Sequence, residues 1–339
     1  MTLETKKLLR VEKLTRYFEL KGTFLSHSRF VKAVDGVTFD IERGENVGLV
    51  GESGCGKTTT ARMIVRLEKP TSGKIYFSGM NLLKLSRDQQ RSIPSMMQVV
   101  FQNSAASLNP RKRVKDILSL PLRLNSSMSR EEIDNRVLKL LEEVNLNPPG
   151  TFAERYPHEL SGGERQRVSI ARAISLSPQL MIADEPVSAL DVSVKAQILN
   201  LFKDLRKKYT TAYLFITHDL TTVRSLCDRV AVMYLGKIVE FGDVSEVFTH
   251  PLHPYTVALL SATPIPNPDR NRSRERVILK GDVPSPINPP TGCRFHTRCP
   301  YAWDLCSNNE PQLKAVERTL VACHLYTKEK SESAKTAKV

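Results

Sequence analysis

The octet Gly51-Glu52-Ser53-Gly54-Cys55-Gly56-Lys57-Thr58 constrains this chain more than any other stretch, because it demands a strand on one side and a helix on the other. Glu45-Asn46-Val47-Gly48-Leu49-Val50 reads as a short buried strand entering the loop, and Thr58 to Leu67 as the helix leaving it. A glycine-rich loop so placed turns its backbone N–H groups toward phosphates. Lys57 then reaches the β- and γ-phosphates and the Thr58 hydroxyl ligates Mg²⁺. On this reading Gly51, Ser53, Gly54, Cys55, Gly56 and Thr59 complete the nucleotide contacts. Many unrelated NTPases share that much.

About a hundred residues later stands Leu160-Ser161-Gly162-Gly163-Glu164. Ser161 caps a helix, Glu164 occupies its third position as in a capping box, and the glycines leave the N-terminal N–H groups uncovered for an anion. Alone, this segment reads as an ordinary capped helix. Here it precedes Arg165-Gln166-Arg167, and the chain continues through Leu180-Met181-Ile182-Ala183-Asp184-Glu185-Pro186, Ser188-Ala189-Leu190-Asp191 and Thr217-His218-Asp219. Five ordered elements do not arise by chance.

Over roughly residues 8 to 250 the sequence resembles the ATP-binding subunits of ABC transporters, with Val100-Phe101-Gln102 as the family's glutamine loop. Asn109-Pro110, the run Pro186 to Ser193 and the cysteine-bearing C-terminal extension are similar to the oligopeptide/dipeptide importer branch, and within it to the F-type subunit. The resemblance implies an α/β fold: a P-loop NTPase of ABC type with a helical subdomain at about 103–176. It divides the chain into a nucleotide-binding domain at 1–250, an extension with a four-cysteine motif at 251–326 and a disordered tail at 327–339.

It also implies roles. Asp184, closing an apolar strand, holds Mg²⁺ directly or through water, and Glu185 polarises the attacking water; the plain alternative for Glu185 is a surface turn before Pro186. Gln102 offers its amide to Mg²⁺ or the lytic water and reports nucleotide state to the membrane partner. His218 is the switch histidine at the γ-phosphate, although a lone histidine at a strand end is ordinarily structural. Phe18 is the adenine platform, with a core position in an N-terminal strand as the alternative for it and for Tyr17. Ser161, Gly163 and Asp191 act on a nucleotide held by a second subunit, so one chain makes half of each of two shared sites. Asn103 departs from the branch's usual aspartate and Glu164 from its usual glutamine; neither removes a group the chemistry demands.

The implied activity is ATP hydrolysis that powers import of peptides or other small solutes. Oligosaccharides and nickel are alternative cargoes, and a soluble ABC ATPase of translation or DNA repair is the alternative from another class. A P-loop kinase leaves the second glycine helix unexplained. The implied partners are a D-type ATP-binding subunit or a second copy of the chain, two transmembrane permease subunits and, indirectly, an extracellular solute-binding protein. That places the chain at the cytoplasmic face of the plasma membrane.

The remaining features agree with this outline. At 339 residues the chain suits one nucleotide-binding core with an appended piece, and 40% hydrophobic residues suffice for a core. No apolar stretch reaches the ~18 residues of a membrane span, and the N-terminus has no signal-peptide pattern. A formal charge of +14 invites a nucleic-acid reading, but the basic residues are scattered, with small concentrations at Arg111-Lys112-Arg113, Lys207-Lys208 and Arg270 to Arg276, and few aromatics among them. The expected partners therefore include no nucleic acid. Leu180 to Ala183, Tyr213 to Ile216 and Val230 to Tyr234 read as strands of a doubly wound parallel sheet, and Ser129 with Glu132 opens a helix whose apolar face carries Ile133, Val137, Leu140, Leu141 and Val144. After Gly242, the stretch His250-Pro251-Leu252-His253-Pro254-Tyr255 and the following prolines read as a linker with little regular structure and solvated histidines.

Six cysteines remain. Cys55 and Cys227 stand singly, whereas Cys293, Cys299, Cys306 and Cys323 form Cys-x5-Cys-x6-Cys-x16-Cys near the end. Such clustering in a cytoplasmic protein points to metal over disulfides. The gaps are wider than the tight pairs of zinc modules and Cys299-Pro300 matches the ending of some cluster sites, which favours [4Fe–4S] over Zn²⁺, with unligated thiols as the third reading and His296 or His324 as spare ligands.

Overall fold

The computed structural model describes residues 7–20, 29–102, 104–188, 190–263, 277–279 and 281–327. Asn103, Ala189, the prolines and arginines of 264–276 and the tail at 328–339 lie outside the described residues. The chain forms two compact units, one of Met1–Leu9, Ile41–Asn46 and Phe77–Thr217, the other of Arg10–Asp40, Val47–Tyr76 and His218–Val339.

The first unit is built on parallel strands Met97–Val100, Leu180–Asp184 and Ala212–Thr217, with Met97 opposite Leu180 and Leu180 opposite Ala212. Every residue of the latter two strands is buried, which is why both read as continuous apolar runs and not as alternating ones. The helix Val192–Tyr209 buries Ile198, Leu201, Phe202 and Leu205, and Phe202 meets Tyr213 and Phe215 edge-on at 5.8 and 5.1 Å. Between the first and second of these strands the chain is helical, with Val114–Asn125, Arg130–Glu143, Pro149–Glu154 and Gly162–Ile174. The Ser129 capping box forms as its sequence requires, the hydroxyl accepting from the Glu132 N–H and the Glu132 carboxylate from the Ser129 N–H. At the other end of that helix the largely buried Glu143 accepts from Arg136, Lys208 and Tyr209. Burial pushes its carboxyl up, but the hydrogen bonds and the two cations hold it below the usual range.

In the second unit the strand Asn46–Val50 pairs in parallel with Arg229–Tyr234, Val47 opposite Arg229 and Val50 opposite Val232. The strand Lys237–Asp243 continues this sheet antiparallel, and Thr319–Val321 and Lys314–Val316 follow it. The C-terminal extension is thus hydrogen-bonded into the sheet, with Phe241 opposite Leu320. It also enters the core of this unit: Phe295 is 1% exposed and packs with Tyr234 and Tyr255 at ring distances of 5.3 and 5.5 Å. Burying such a ring is worth about 2–3 kcal/mol, which a short segment poor in apolar residues cannot obtain alone. Arg294 adds polar anchorage, donating to the Leu235 carbonyl and to the Asp35 carboxylate.

The stretch expected as a linker with little regular structure is in part helical. Pro254–Ala262 is a helix with Pro254 at its first position, and His253 caps it, Nδ1 accepting from the Tyr255 N–H at 3.1 Å. His253 is 1% exposed and not solvated, and burial drives its pKa down to about 3. The buried Glu240 carboxylate secures the approach, accepting from the N–H groups of Leu252 and His253 at 2.8 and 2.9 Å. His250 is exposed, its Nδ1 3.1 Å from the Thr249 hydroxyl. Among the described residues no helix is long and apolar enough to cross a membrane.

Candidate nucleotide-binding site

The phosphate loop has the backbone its glycines permit. Gly51 has φ +156° and a Cβ there would lie 2.1 Å from the Met233 carbonyl oxygen; Gly56 has φ +108° and a Cβ would lie 2.2 Å from that of Ala33. No side chain fits either position without moving main chain. Gly56 is also the N-cap of the helix Lys57–Ile64, and no side chain caps that helix, so its first N–H groups are left for an anion. The Lys57 ammonium is buried and donates to the carbonyls of Gly51 and Glu52 at 2.8 and 3.0 Å, with Cys55 Sγ at 3.8 Å. A buried cation held by neutral acceptors beside a helix N-terminus that no side chain caps has the electrostatics of an anion site. Cys55 is buried, Thr58 and Thr59 are half-buried on the first turn of the helix, and Ser53 and Gly54 are exposed at the loop's tip.

Elsewhere in the same unit, Phe18 is half-buried in the strand Lys7–Leu20, with the Arg16 guanidinium 4.4 Å from its ring centre. The neighbouring Tyr17 is committed differently. Its hydroxyl donates to Asp35 at 2.7 Å, and burial together with that carboxylate pushes its pKa up to about 12. His218 is exposed, immediately before Asp219, whose carboxylate caps the helix Leu220–Leu226 through the Thr221 N–H at 2.9 Å.

The first unit brings Gln102 and Glu185 together, Nε2 of the amide donating to Oε2 of the carboxylate at 2.8 Å. Asp184 is 6% exposed at the end of its strand. Glu185 leaves that strand with φ +46°, a left-handed conformation rare for a residue with a side chain, and its N–H donates to the Ile216 carbonyl at 2.8 Å. Ser161 is in a complete capping box with Glu164, its hydroxyl 3.3 Å from the Glu164 N–H. A Cβ on Gly163 would come within 2.6 Å of Val194 Cγ1, so this helix start stays bare. Asp191 is exposed at the N-cap position of Val192–Tyr209 and makes no side-chain cap bond.

The expected [4Fe–4S] or zinc site is not supported. Cys293, Cys299, Cys306 and Cys323 do gather, and the Cys293 N–H donates to the Cys306 carbonyl at 2.7 Å. Yet all are free thiols, and among the described residues no group of three or more His, Cys, Asp or Glu is arranged to hold a metal ion. Burial, and then the neighbouring sulfurs, push Cys293 up to about 11 and Cys323 up to about 12. His296 Nδ1 and His324 Nε2 each lie 2.8 Å from a backbone carbonyl.

Sequence reasoning missed two residues that touch the loop, Tyr255 and Arg298, both bonded to Glu52. No local pattern marks them, because each lies more than two hundred positions away from its partner.

Comparison with known proteins agrees with this geometry. The pattern of the family described as "ABC transporter" matches residues 34–188, and that described as "Oligopeptide/dipeptide transporter, C-terminal region" matches residues 239–306. The oligopeptide transport ATP-binding protein AppF of Bacillus subtilis is 49% identical over 94% of this chain and 98% of its own length. The dipeptide transport ATP-binding protein DppF of Escherichia coli is 48% identical over 93% of each, and the oligopeptide transport ATP-binding protein OppF of Salmonella typhimurium 47% identical over 94% of this chain and 96% of its own. Among solved structures, an ATP-binding cassette dimer in a post-hydrolysis state with ADP and Pi superposes with a TM-score of 0.62 at 29% identity, covering 70% of this chain and 98% of that one. A cassette from Clostridium perfringens, part of the cbiONQ complex, gives 0.61 at 27% identity over 72% and 92%. The fold is that of an ABC-type P-loop NTPase, and the chain belongs to the oligopeptide/dipeptide transport ATP-binding proteins of the ABC transporter family.

Proposed function

We propose that this chain is the subunit that hydrolyses ATP to ADP and phosphate to power import of peptides through a membrane ABC transporter. The observation that carries this is identity of nearly half over nearly the whole chain with peptide-transport ATP-binding proteins, joined to a phosphate loop whose helix N-terminus and buried Lys57 suit an anion. Gly51 and Ser53 to Thr59 bind the phosphates, Lys57 offsets their charge, and Phe18 carries the adenine ring. Thr58, Gln102 and Asp184 would hold Mg²⁺, which supplies charge neutralisation at the transferring phosphoryl group. Glu185 accepts the proton of the attacking water as it adds to the γ-phosphorus, and Gln102, already bonded to that carboxylate, orients it. His218 donates to the γ-phosphate oxygen.

Ser161, Gly163 and Asp191 act on the nucleotide of a second ATP-binding subunit. A D-type sister is the preferred partner, with a second copy of this chain as the other arrangement. The segment at about 103–176, within a nucleotide-binding domain at 1–250, attaches to two permease subunits at the cytoplasmic face of the plasma membrane; an external binding protein delivers the solute. Residues 251–326 are the extension proper and 327–339 its tail.

The composite site is tested by dilution. The isolated chain hydrolyses ATP weakly, and adding the D-type subunit raises the rate with a dependence on concentration. Full activity of the isolated monomer, independent of concentration and partner, refutes the shared site.

A further inference from the structure

Glu52, the second residue of the phosphate loop, is held from outside the loop at both backbone and side chain. Its N–H donates to the Tyr255 hydroxyl at 3.0 Å, and its carboxylate accepts from Arg298 Nη1, 3.1 Å from one oxygen and 3.3 Å from the other. Its carbonyl in turn accepts from the Lys57 ammonium at 3.0 Å. A series of hydrogen bonds therefore runs from the C-terminal extension, through the single loop residue Glu52, to the cation that faces the phosphates.

The extension is built to hold its end firmly. Arg298 lies in the turn after Phe295, its N–H donating to the Phe295 carbonyl at 3.0 Å, and Phe295 is locked among Tyr234 and Tyr255. The Arg298 side chain is 9% exposed, its Nη1 3.5 Å from the Tyr234 hydroxyl, and its Nε is buried without a partner. Burying a guanidinium with a nitrogen unsatisfied is unfavourable as packing alone, so the contact with Glu52 is what the burial serves. Val283 to Pro286 of the same extension line, together with Glu52 to Cys55, a cavity of 210 Å³ against the outer side of the loop.

We propose that Arg298 is a positioning residue: through Glu52 it fixes the phosphate loop and Lys57 in the geometry that binds nucleotide, so that the C-terminal extension sets the affinity of the ATP site. The inference rests on the reading that this loop binds ATP. Arg298 fixes the Glu52 side chain and Tyr255 its N–H, and together they hold the residue whose carbonyl restrains Lys57. Without the guanidinium Glu52 is held at its N–H alone, and the ammonium and the loop N–H groups are less preorganised.

The test uses the full chain with Arg298→Gln, Glu52→Gln, the double variant and Arg298→Lys, each titrated with Mg-ADP by calorimetry so that turnover does not interfere. Each single Gln variant is expected to weaken binding about five- to tenfold, part of the worth of a charge-assisted hydrogen bond. The double variant is no weaker than the singles, since both remove the same contact, and Arg298→Lys recovers part of the loss. In the assembled transporter the ATP KM rises while the rate at saturating ATP stays within about twofold of wild type. Glu52→Gln leaves the extension's own packing intact, so its loss of affinity cannot be ascribed to misfolding. Wild-type affinity in both singles with only a lowered melting temperature makes the pair a staple and overturns the proposal, as do additive losses in the double. A parallel Lys57→Ala control separates the two readings: if it binds Mg-ADP normally, the loop itself has been misread; if it alone fails, only the role of Arg298 falls.

Discussion

Acidification should destabilise the unit that carries the phosphate loop through a single histidine. His253 is neutral in the folded state because burial lowers its pKa from 6.5 to about 3, and its Nδ1 accepts the Tyr255 N–H at the start of the helix Pro254–Ala262. Below pH 6.5 the unfolded chain takes up a proton that the folded chain refuses, so stability is full above that pH and is lost as the pH falls toward 3. At about 1.4 kcal/mol per unit of pKa difference, the loss between pH 7 and pH 5 is about 2 kcal/mol from this group. Trp303 is the chain's single tryptophan and lies in the same unit, so its fluorescence during urea unfolding reports the relevant transition. His253→Asn retains a capping side chain but not the titration. The variant is weaker than wild type at pH 7, and the gap closes by about 2 kcal/mol on going to pH 5. Glu240, whose carboxyl burial pushes up, is present in both proteins and cancels in the difference. Parallel stability curves for wild type and variant across this range would show that His253 does not carry the acid sensitivity.

Gly56→Ala places a Cβ 2.2 Å from the Ala33 carbonyl at φ +108°, and should lower stability by about 3 kcal/mol and abolish nucleotide binding; an alanine variant with a wild-type melting curve contradicts the loop geometry. Glu143→Gln strips the charge from the site where Arg136, Lys208 and Tyr209 converge, and should cost about 1–3 kcal/mol at pH 7, a deficit that vanishes as acid protonates Glu143 in the wild-type protein below the usual carboxylate range. Urea midpoints of both proteins at pH 7 and pH 3 decide it.

The loop and the buried strands were legible because local backbone demands and local burial coincide with local sequence. Gly51 and Gly56 sit where only glycine fits, and Leu180 to Ala183 is apolar throughout because both faces are covered. The helix at Pro254–Ala262 was read as linker because His-Pro signals serve turns and helix starts alike. What makes it a helix here is distant: Glu240 receives the entering N–H groups and Phe295 covers Tyr255. The four late cysteines were legible as a gathering, but spacing does not say whether the folded side chains are arranged to hold a metal ion, and among the described residues they are not. The Glu52–Arg298 contact spans 246 positions and left no trace in any local pattern.

The central claim is that Glu185 activates the water while Lys57 grips the phosphates, and comparing two variants tests it most directly. ATP binding and phosphate release are measured for Lys57→Ala and Glu185→Gln in the assembled transporter. Lys57→Ala should lose nucleotide binding, whereas Glu185→Gln should bind ATP as wild type does yet release phosphate at least about a hundredfold more slowly, the range expected when a general base is removed. Near-normal phosphate release by Glu185→Gln would contradict the account.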